Sequence, residues 1–237
     1  MAASSSPSCG ARRAAARWPG STWASCTSRR ARRRLAARPL EARPGPLPTV
    51  SLLIVAYNEQ AVLAEKLRNS FALDYPADRL QIAVVADGST DDTAQIATTF
   101  DGVAVFYEPP RRGKVGAMRR VVPQLSGEIV VISDANAMYS PGALKALAGA
   151  FADPAVGSAT GAKRVQSGAG GEGEGLYWRY ESNLLRWESA LGSAAGAAGE
   201  ILAFRRSLWE APPADAVIED FHLAMRVVAR GWRHVYV

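Results

Sequence analysis

"EIVVISDANA", residues 128–137, decides how the rest of the chain is read. Val130, Val131 and Ile132 form a β-branched apolar run too short for a helix, which predicts a buried strand. Polarity then returns abruptly. Asp134 and Asn136 stand two positions apart, so in extended geometry both side chains leave on the same side. A buried strand that ends in an acid and an amide fits an open α/β sheet, where ligands bind outside the carboxyl ends of the strands.

Outward from that strand, strand-like and helix-like segments alternate from Thr49 onward, predicting an α/β domain with a mostly parallel sheet flanked by helices. "TVSLLIVAY", "QIAVVAD" and "GVAVFY" read as strands, with "AVGSATG", "EILAF" and the closing "HVYV" as further ones. Asn58 is expected to cap the helix that carries Leu63 and Leu67, and Ser89 or Thr90 the helix after the second strand. Helices are also expected over 113–125, blunted by Pro123, after Ser140-Pro141, and in "DFHLAMRVVARG", closed by Gly231. "SGAGGEGEG", residues 167–175, is expected to be a loop. From Leu176 to Leu191 the apolar residues 176, 180, 184, 187 and 191 predict an amphipathic helix whose aromatic stripe packs into the core.

The charge is unevenly spread. Of a net +6, residues 1–48 carry ten Arg, no Lys and one acid, Glu41, for +9. Subtracting that stretch from the chain's 28 basic and 22 acidic residues leaves 18 and 21, a net of −3, which argues against nucleic acid as a partner. Residues 1–48 are rich in Arg, Ala, Ser and Pro without hydrophobic periodicity and are expected to be a disordered tail, with one domain over 49–237. Both cysteines, Cys9 and Cys26, lie in that tail, which suits a cytoplasmic setting. No run reaches the about 18 to 20 apolar residues that cross a bilayer.

Polar residues cluster at several expected strand ends. Asp87, in "DGSTDD", can accept hydrogen bonds from a base or sugar, and Gly88 permits close backbone approach. "RRGKVG", residues 111–116, places Arg111, Arg112 and Lys114 at a helix start, where cationic side chains, free amides and the helix dipole favour an anion such as a diphosphate. Taken singly, these are also a capping turn and a solvated basic turn. His222 and His234 are too few and too far apart to imply a histidine metal site.

In order, "VSLLIVAYNE", "VVADGSTDDT", "RRGKVGAMRR", "VVISDANA", "GEGLYWRYE" and "VIEDFHLAMRVVARGW" resemble the family 2 glycosyltransferases, over about Pro48 to Val237. The resemblance implies the GT-A fold and inverting transfer of a sugar from a nucleotide-diphosphate donor to an acceptor hydroxyl, saccharide or lipid-linked, aided by Mg²⁺ or Mn²⁺. It implies that Ala56 and Glu59 border the nucleoside, with Glu59 on the ribose, that Asp87 faces the base, and that Lys114 lies near the phosphates. Asp134 and Asn136 occupy the aspartate-any-aspartate motif that holds the metal, and Asp220, in "IED", matches the catalytic base. Membrane polysaccharide synthases are the implied relatives, so membrane association at the cytoplasmic face and a missing C-terminal transmembrane part are expected.

Two positions depart from the pattern: Ala86 stands where relatives often carry a polar residue, and Ala198 where an aspartate is common. Asn136 gives the motif one charge fewer than two acids, yet its carbonyl oxygen still serves a metal whose other ligands are phosphates and waters. The expectation is a metal that binds well only with the donor present. A nucleotidyltransferase and an inactive nucleotide-sugar-binding fragment are the competing readings; "GGEGEG" lacks the strand and spacing of a dinucleotide fingerprint.

Overall fold

The computed structural model describes residues 46–162, 172–214 and 216–237. Its sheet is organised around β1 (Val50–Ala56), whose Leu52, Leu53 and Ile54 have no exposed surface. Successive side chains go to opposite faces. Leu52 and Ile54 join one core with Leu63 and Leu67 of α1 (Leu63–Phe71) and Leu144 and Leu147 of α4 (Ala143–Ala150). Leu53 joins the other, with Val115 and Met118 of α3 (Gly113–Val121) and Leu223 of α6 (Glu219–Ala229). Helices on both faces are what an unbroken apolar strand requires.

β2 (Leu80–Ala86) and β4 (Ile129–Asp134) flank β1, both parallel to it, and β3 (Val103–Tyr107) lies outside β2. The seven-stranded order is β3-β2-β1-β4-β6-β5-β7. β6 (Ile201–Arg205) runs antiparallel to β4 and to β5 (Val156–Thr160), and β7 (Arg233–Tyr236) is parallel to β5. Register then sets the site. Asp134 pairs with Val55, and Ala56 with Ala86, so the ends of β1, β2 and β4 open on one edge of the sheet.

The expected tail over 1–48 lies almost wholly outside the described residues, but the fold engages the chain from Leu47, which packs against the core. The Tyr75 hydroxyl donates to the Pro48 carbonyl at 2.5 Å. Among the described residues no helix is long and apolar enough to cross a membrane.

Four local expectations are corrected. Asn58 caps nothing: Val62 is the N-cap of α1, and Asn58, at φ +54°, instead accepts the Thr90 amide on its side-chain oxygen at 2.9 Å. Ser89 does not cap α2 (Thr93–Thr98) either; its hydroxyl accepts the Asn58 amide at 3.1 Å, while Asp91 receives the Thr93 amide at 3.0 Å. These side chains stitch the β1 loop to the β2 loop, a task that local pattern cannot distinguish from capping. Residues 167–171 of the expected glycine-rich loop lie outside the described residues, and the remainder is helical, since α5 spans Glu172–Leu191.

The fourth correction concerns α5 itself, whose side chains are described from Tyr180 onward. Tyr180, Leu184, Trp187 and Leu191 point outward, with Tyr180 and Trp187 about two-thirds exposed at 66% and 65%. The face against β7 carries serines instead. Ser189 accepts the Tyr236 amide at 2.7 Å and Ser182 accepts the Tyr236 hydroxyl at 2.8 Å. The unpaired donors of a sheet edge have to be satisfied, and hydroxyls do this where leucines cannot.

His234 of β7 is fully buried and holds the 192–200 loop. Its Nε2 faces the Gly196 carbonyl at 3.1 Å, which can only accept, so Nδ1 is left to accept from the Ser158 hydroxyl at 2.8 Å. Burial lowers its pKa from 6.5 to about 4, the Gly196 carbonyl working against the shift. The unfolded chain therefore binds the extra proton between those values. Stability that is complete above pH 6.5 should fall by about 3 kcal/mol as pH drops through 4. Urea midpoints across that range check this, and the slope should flatten in a His234→Gln variant.

Candidate active site

Lys114 stands in the first turn of α3 and reaches across the carboxyl edge of the sheet. Its ammonium lies 2.8 Å from Asp134 Oδ1 at the end of β4 and 3.0 Å from Glu219 Oε1 at the start of α6, and donates to the Gly199 carbonyl at 3.3 Å. Burial works to lower the Lys114 pKa, but the bonds and charges of Asp134 and Glu219 outweigh it and hold the group above its ordinary value. The ammonium stays charged.

Asp220 follows Glu219 and turns one oxygen back to accept the Phe221 amide at 2.8 Å. Burial raises its pKa, opposed by the Phe221 amide and Lys114 and reinforced by Glu219. It is the carboxylate here whose basicity the fold increases. Gly199 fits between the two groups: a Cβ there would lie 2.9 Å from Asp220 Oδ2 and 3.8 Å from Lys114 Nζ. Any side chain at 199 would fill the space where Asp220 and Lys114 meet.

On the β1–β2 side, Ala56 is buried and its carbonyl accepts the Asp87 amide at 2.9 Å. The Asp87 carboxylate is itself buried; it accepts the Arg112 amide at 3.0 Å and the Arg120 guanidinium at 2.6 Å. It thereby anchors the turn that delivers Lys114. Gly88, at φ +65°, brings the backbones together, since a Cβ would come within 2.4 Å of the Arg111 nitrogen. Gly88→Ala is expected to cost about 2 kcal/mol or more from the left-handed conformation and this contact, measurable by denaturant unfolding. Beside this turn, the Arg111 guanidinium lies over the Tyr57 ring at 3.8 Å, and the Glu59 amide is fixed on the Thr93 hydroxyl at 2.8 Å.

The structure thus brings Lys114, Asp134 and Asp220 into one cluster and Ala56, Asp87 and Glu59 along the adjoining loops. Asn136 is exposed in the turn after β4, and among the described residues no hydrogen bond or ion pair ties its side chain to the cluster. Glu219 was legible only as an acid in a helix first turn; its partnership with Lys114 depends on two elements far apart in sequence. At the departure noted above, Ala198 donates its amide to the Thr160 hydroxyl at 3.0 Å.

The donor set also decides what cation fits. Among the described residues no three His, Cys, Asp or Glu side chains converge as a complete metal cage. Asp134 offers one carboxylate whose Oδ1 is held by the Lys114 ammonium, so a hard ion would fit here only by displacing that ammonium and bringing phosphate and water ligands of its own.

The sheet, parallel but for β6 and flanked by helices on both faces, superposes on solved glycosyltransferases, and the fold is GT-A. The chain belongs to the glycosyltransferase-like family 2, whose family model matches residues 48–237. It is 31% identical over 205 residues to the probable glycosyltransferase YdaM of Bacillus subtilis, covering 78% of this chain and 48% of that one. Over 102 residues it is 36% identical to a β-monoglucosyldiacylglycerol synthase of Nostoc, covering 40% of this chain and 22% of that one. A solved mannosyltransferase, PcManGT of Pyrobaculum calidifontis, in complex with GDP-Man and Mn²⁺, superposes with a TM-score of 0.73 at 32% identity, covering 88% of this chain and 60% of that one. This chain therefore spans about half or less of the curated relatives it matches.

Proposed function

We propose that this domain transfers a sugar from a nucleoside-diphosphate donor to an acceptor hydroxyl with inversion, in glycolipid or polysaccharide synthesis at the cytoplasmic face of a membrane. The observation that carries the reading is the Lys114 ammonium 2.8 Å from Asp134 and 3.0 Å from Glu219, with the Asp220 carboxylate across Gly199. The PcManGT complex with GDP-Man and Mn²⁺ supports the donor class and a divalent cation, Mg²⁺ or Mn²⁺. The glycolipid synthase relative supports a lipid-linked acceptor beside a saccharide one.

The nucleoside lies along the Ala56–Glu59 and Asp87 loops, with Glu59 on the ribose and Asp87 facing the base. The diphosphate meets Lys114 and the free amides opening α3. Asp134 and Asn136 would hold the cation, which when bound neutralises charge on the diphosphate oxygens. Asp220 takes the proton of the acceptor hydroxyl as that oxygen attacks the anomeric carbon from the face opposite the diphosphate. The bond from sugar to phosphate breaks and its electron pair leaves with the diphosphate. Lys114 is worth most at that moment because the charge it faces is greatest in the transition state.

The test is a screen of uridine and guanosine diphosphate-sugars with Mn²⁺ present, with release of nucleoside diphosphate as readout. Turnover of at least one donor is expected. No binding and no turnover with any of them overturns the reading, and tight binding without turnover overturns its catalytic half.

A further inference from the structure

Lys66 has the largest fully buried side chain among the described residues, and the reaction above leaves it unused. It sits on the apolar face of α1, between Leu63 and Leu67. A methionine would fill much the same space without the cost of burying a polar amino group, so packing alone does not explain it. Its Nζ donates to the Ala137 carbonyl, in the turn that starts at Asp134, and lies 3.7 Å from the centre of the Tyr139 ring. One turn further along α1, Asn69 clasps the same segment from both sides: it donates to the Tyr139 carbonyl at 2.9 Å and accepts the Tyr139 amide at 2.8 Å.

The far end of Tyr139 completes a chain of contacts. Its hydroxyl donates to the Glu200 carbonyl at 2.8 Å, next to Gly199, whose carbonyl receives Lys114. A single helix thus pins the turn that carries Asp134 and Asn136 and, through Tyr139, the loop that seats Lys114 beside Asp220.

We propose that Lys66, assisted by Asn69, is a positioning residue that holds the 134–139 turn in the shape presenting Asp134 and Asn136 together to a cation on the donor diphosphate. This rests on the function proposed above. An exposed turn held only by its own backbone would offer Asn136 in many orientations. Fixing the adjacent Ala137 carbonyl from inside the fold removes that freedom before the ligand arrives, and supporting contacts of this kind are worth about 10- to 100-fold in metal affinity.

The test is calorimetric titration of GDP and of UDP into the full chain, with and without Mn²⁺, for wild type, Lys66→Met and Asn69→Ala. Wild type should bind one of them more tightly with Mn²⁺. In Lys66→Met the gain should shrink by about tenfold, while metal-free affinity and melting temperature hold; Asn69→Ala should move the same way by less. If Lys66→Met does not fold, the half-buried Asn69→Ala decides alone. A full Mn²⁺ gain in the variants, or an equal loss with and without Mn²⁺, overturns the role of Lys66. A wild-type chain indifferent to Mn²⁺ overturns the metal reading, and this inference with it.

Discussion

Asp220→Asn is expected to slow sugar transfer by about 10²- to 10⁴-fold, the usual worth of a positioned general base, while leaving donor affinity within about twofold. The asparagine keeps the shape and can still accept the Phe221 amide at the 2.8 Å seen for Asp220, so the fold should hold. Only the capacity to take a proton is lost. The pH profile separates this from simple disturbance. Burial raises the Asp220 pKa, so wild-type activity should fall on the acid side at a pH above the ordinary aspartate range, where the base becomes protonated. That limb should vanish in the variant. Turnover unchanged in Asp220→Asn would remove Asp220 from the mechanism.

Lys114→Met should lower kcat by about 10²- to 10³-fold, the range found when one preorganised donor to a developing anion is removed. Affinity for a nucleoside diphosphate should also fall, whereas affinity for the nucleoside alone should not, because the base and ribose loops do not depend on this side chain. Asp134 and Glu219 would then face each other without the cation that lies 2.8 and 3.0 Å from them. That repulsion predicts a further effect: Lys114→Met/Glu219→Gln should be more stable to urea than Lys114→Met alone. If the diphosphate and the nucleoside lose affinity equally, Lys114 is structural and the phosphate assignment fails.

Both assignments were legible as residue types before they were legible as a site. The strands stood out because fully buried β-branched runs such as Val130–Ile132 leave few alternatives, and the polar ends of β1, β2 and β4 followed from them. Direction was harder to read. The α5 stripe of Tyr180, Leu184 and Trp187 has correct helical spacing, but spacing does not say which way a stripe faces; the hydrogen-bonding needs of Tyr236 at the β7 edge turned serines inward instead. Asn58 and Ser89 have the chemistry of caps, and only their partners some 31 residues away show that they bind loop to loop. Glu219 and Lys66 escaped notice for the same reason: an acid in a first turn and a lysine on a helix are ordinary until the fold supplies Lys114 and Ala137 as neighbours. A lysine between Leu63 and Leu67 on a buried face was the one clue available in advance.

The central claim, that the diphosphate completes a cation site begun by Asp134 and Asn136, is tested most directly by anomalous diffraction from crystals grown with Mn²⁺ and a nucleoside diphosphate. One strong manganese peak shared by Asp134 and the diphosphate is expected, with Lys114 moved from the carboxylate toward the phosphates. A bound nucleotide with no manganese at Asp134, or manganese at Asp134 in crystals without nucleotide, would contradict it.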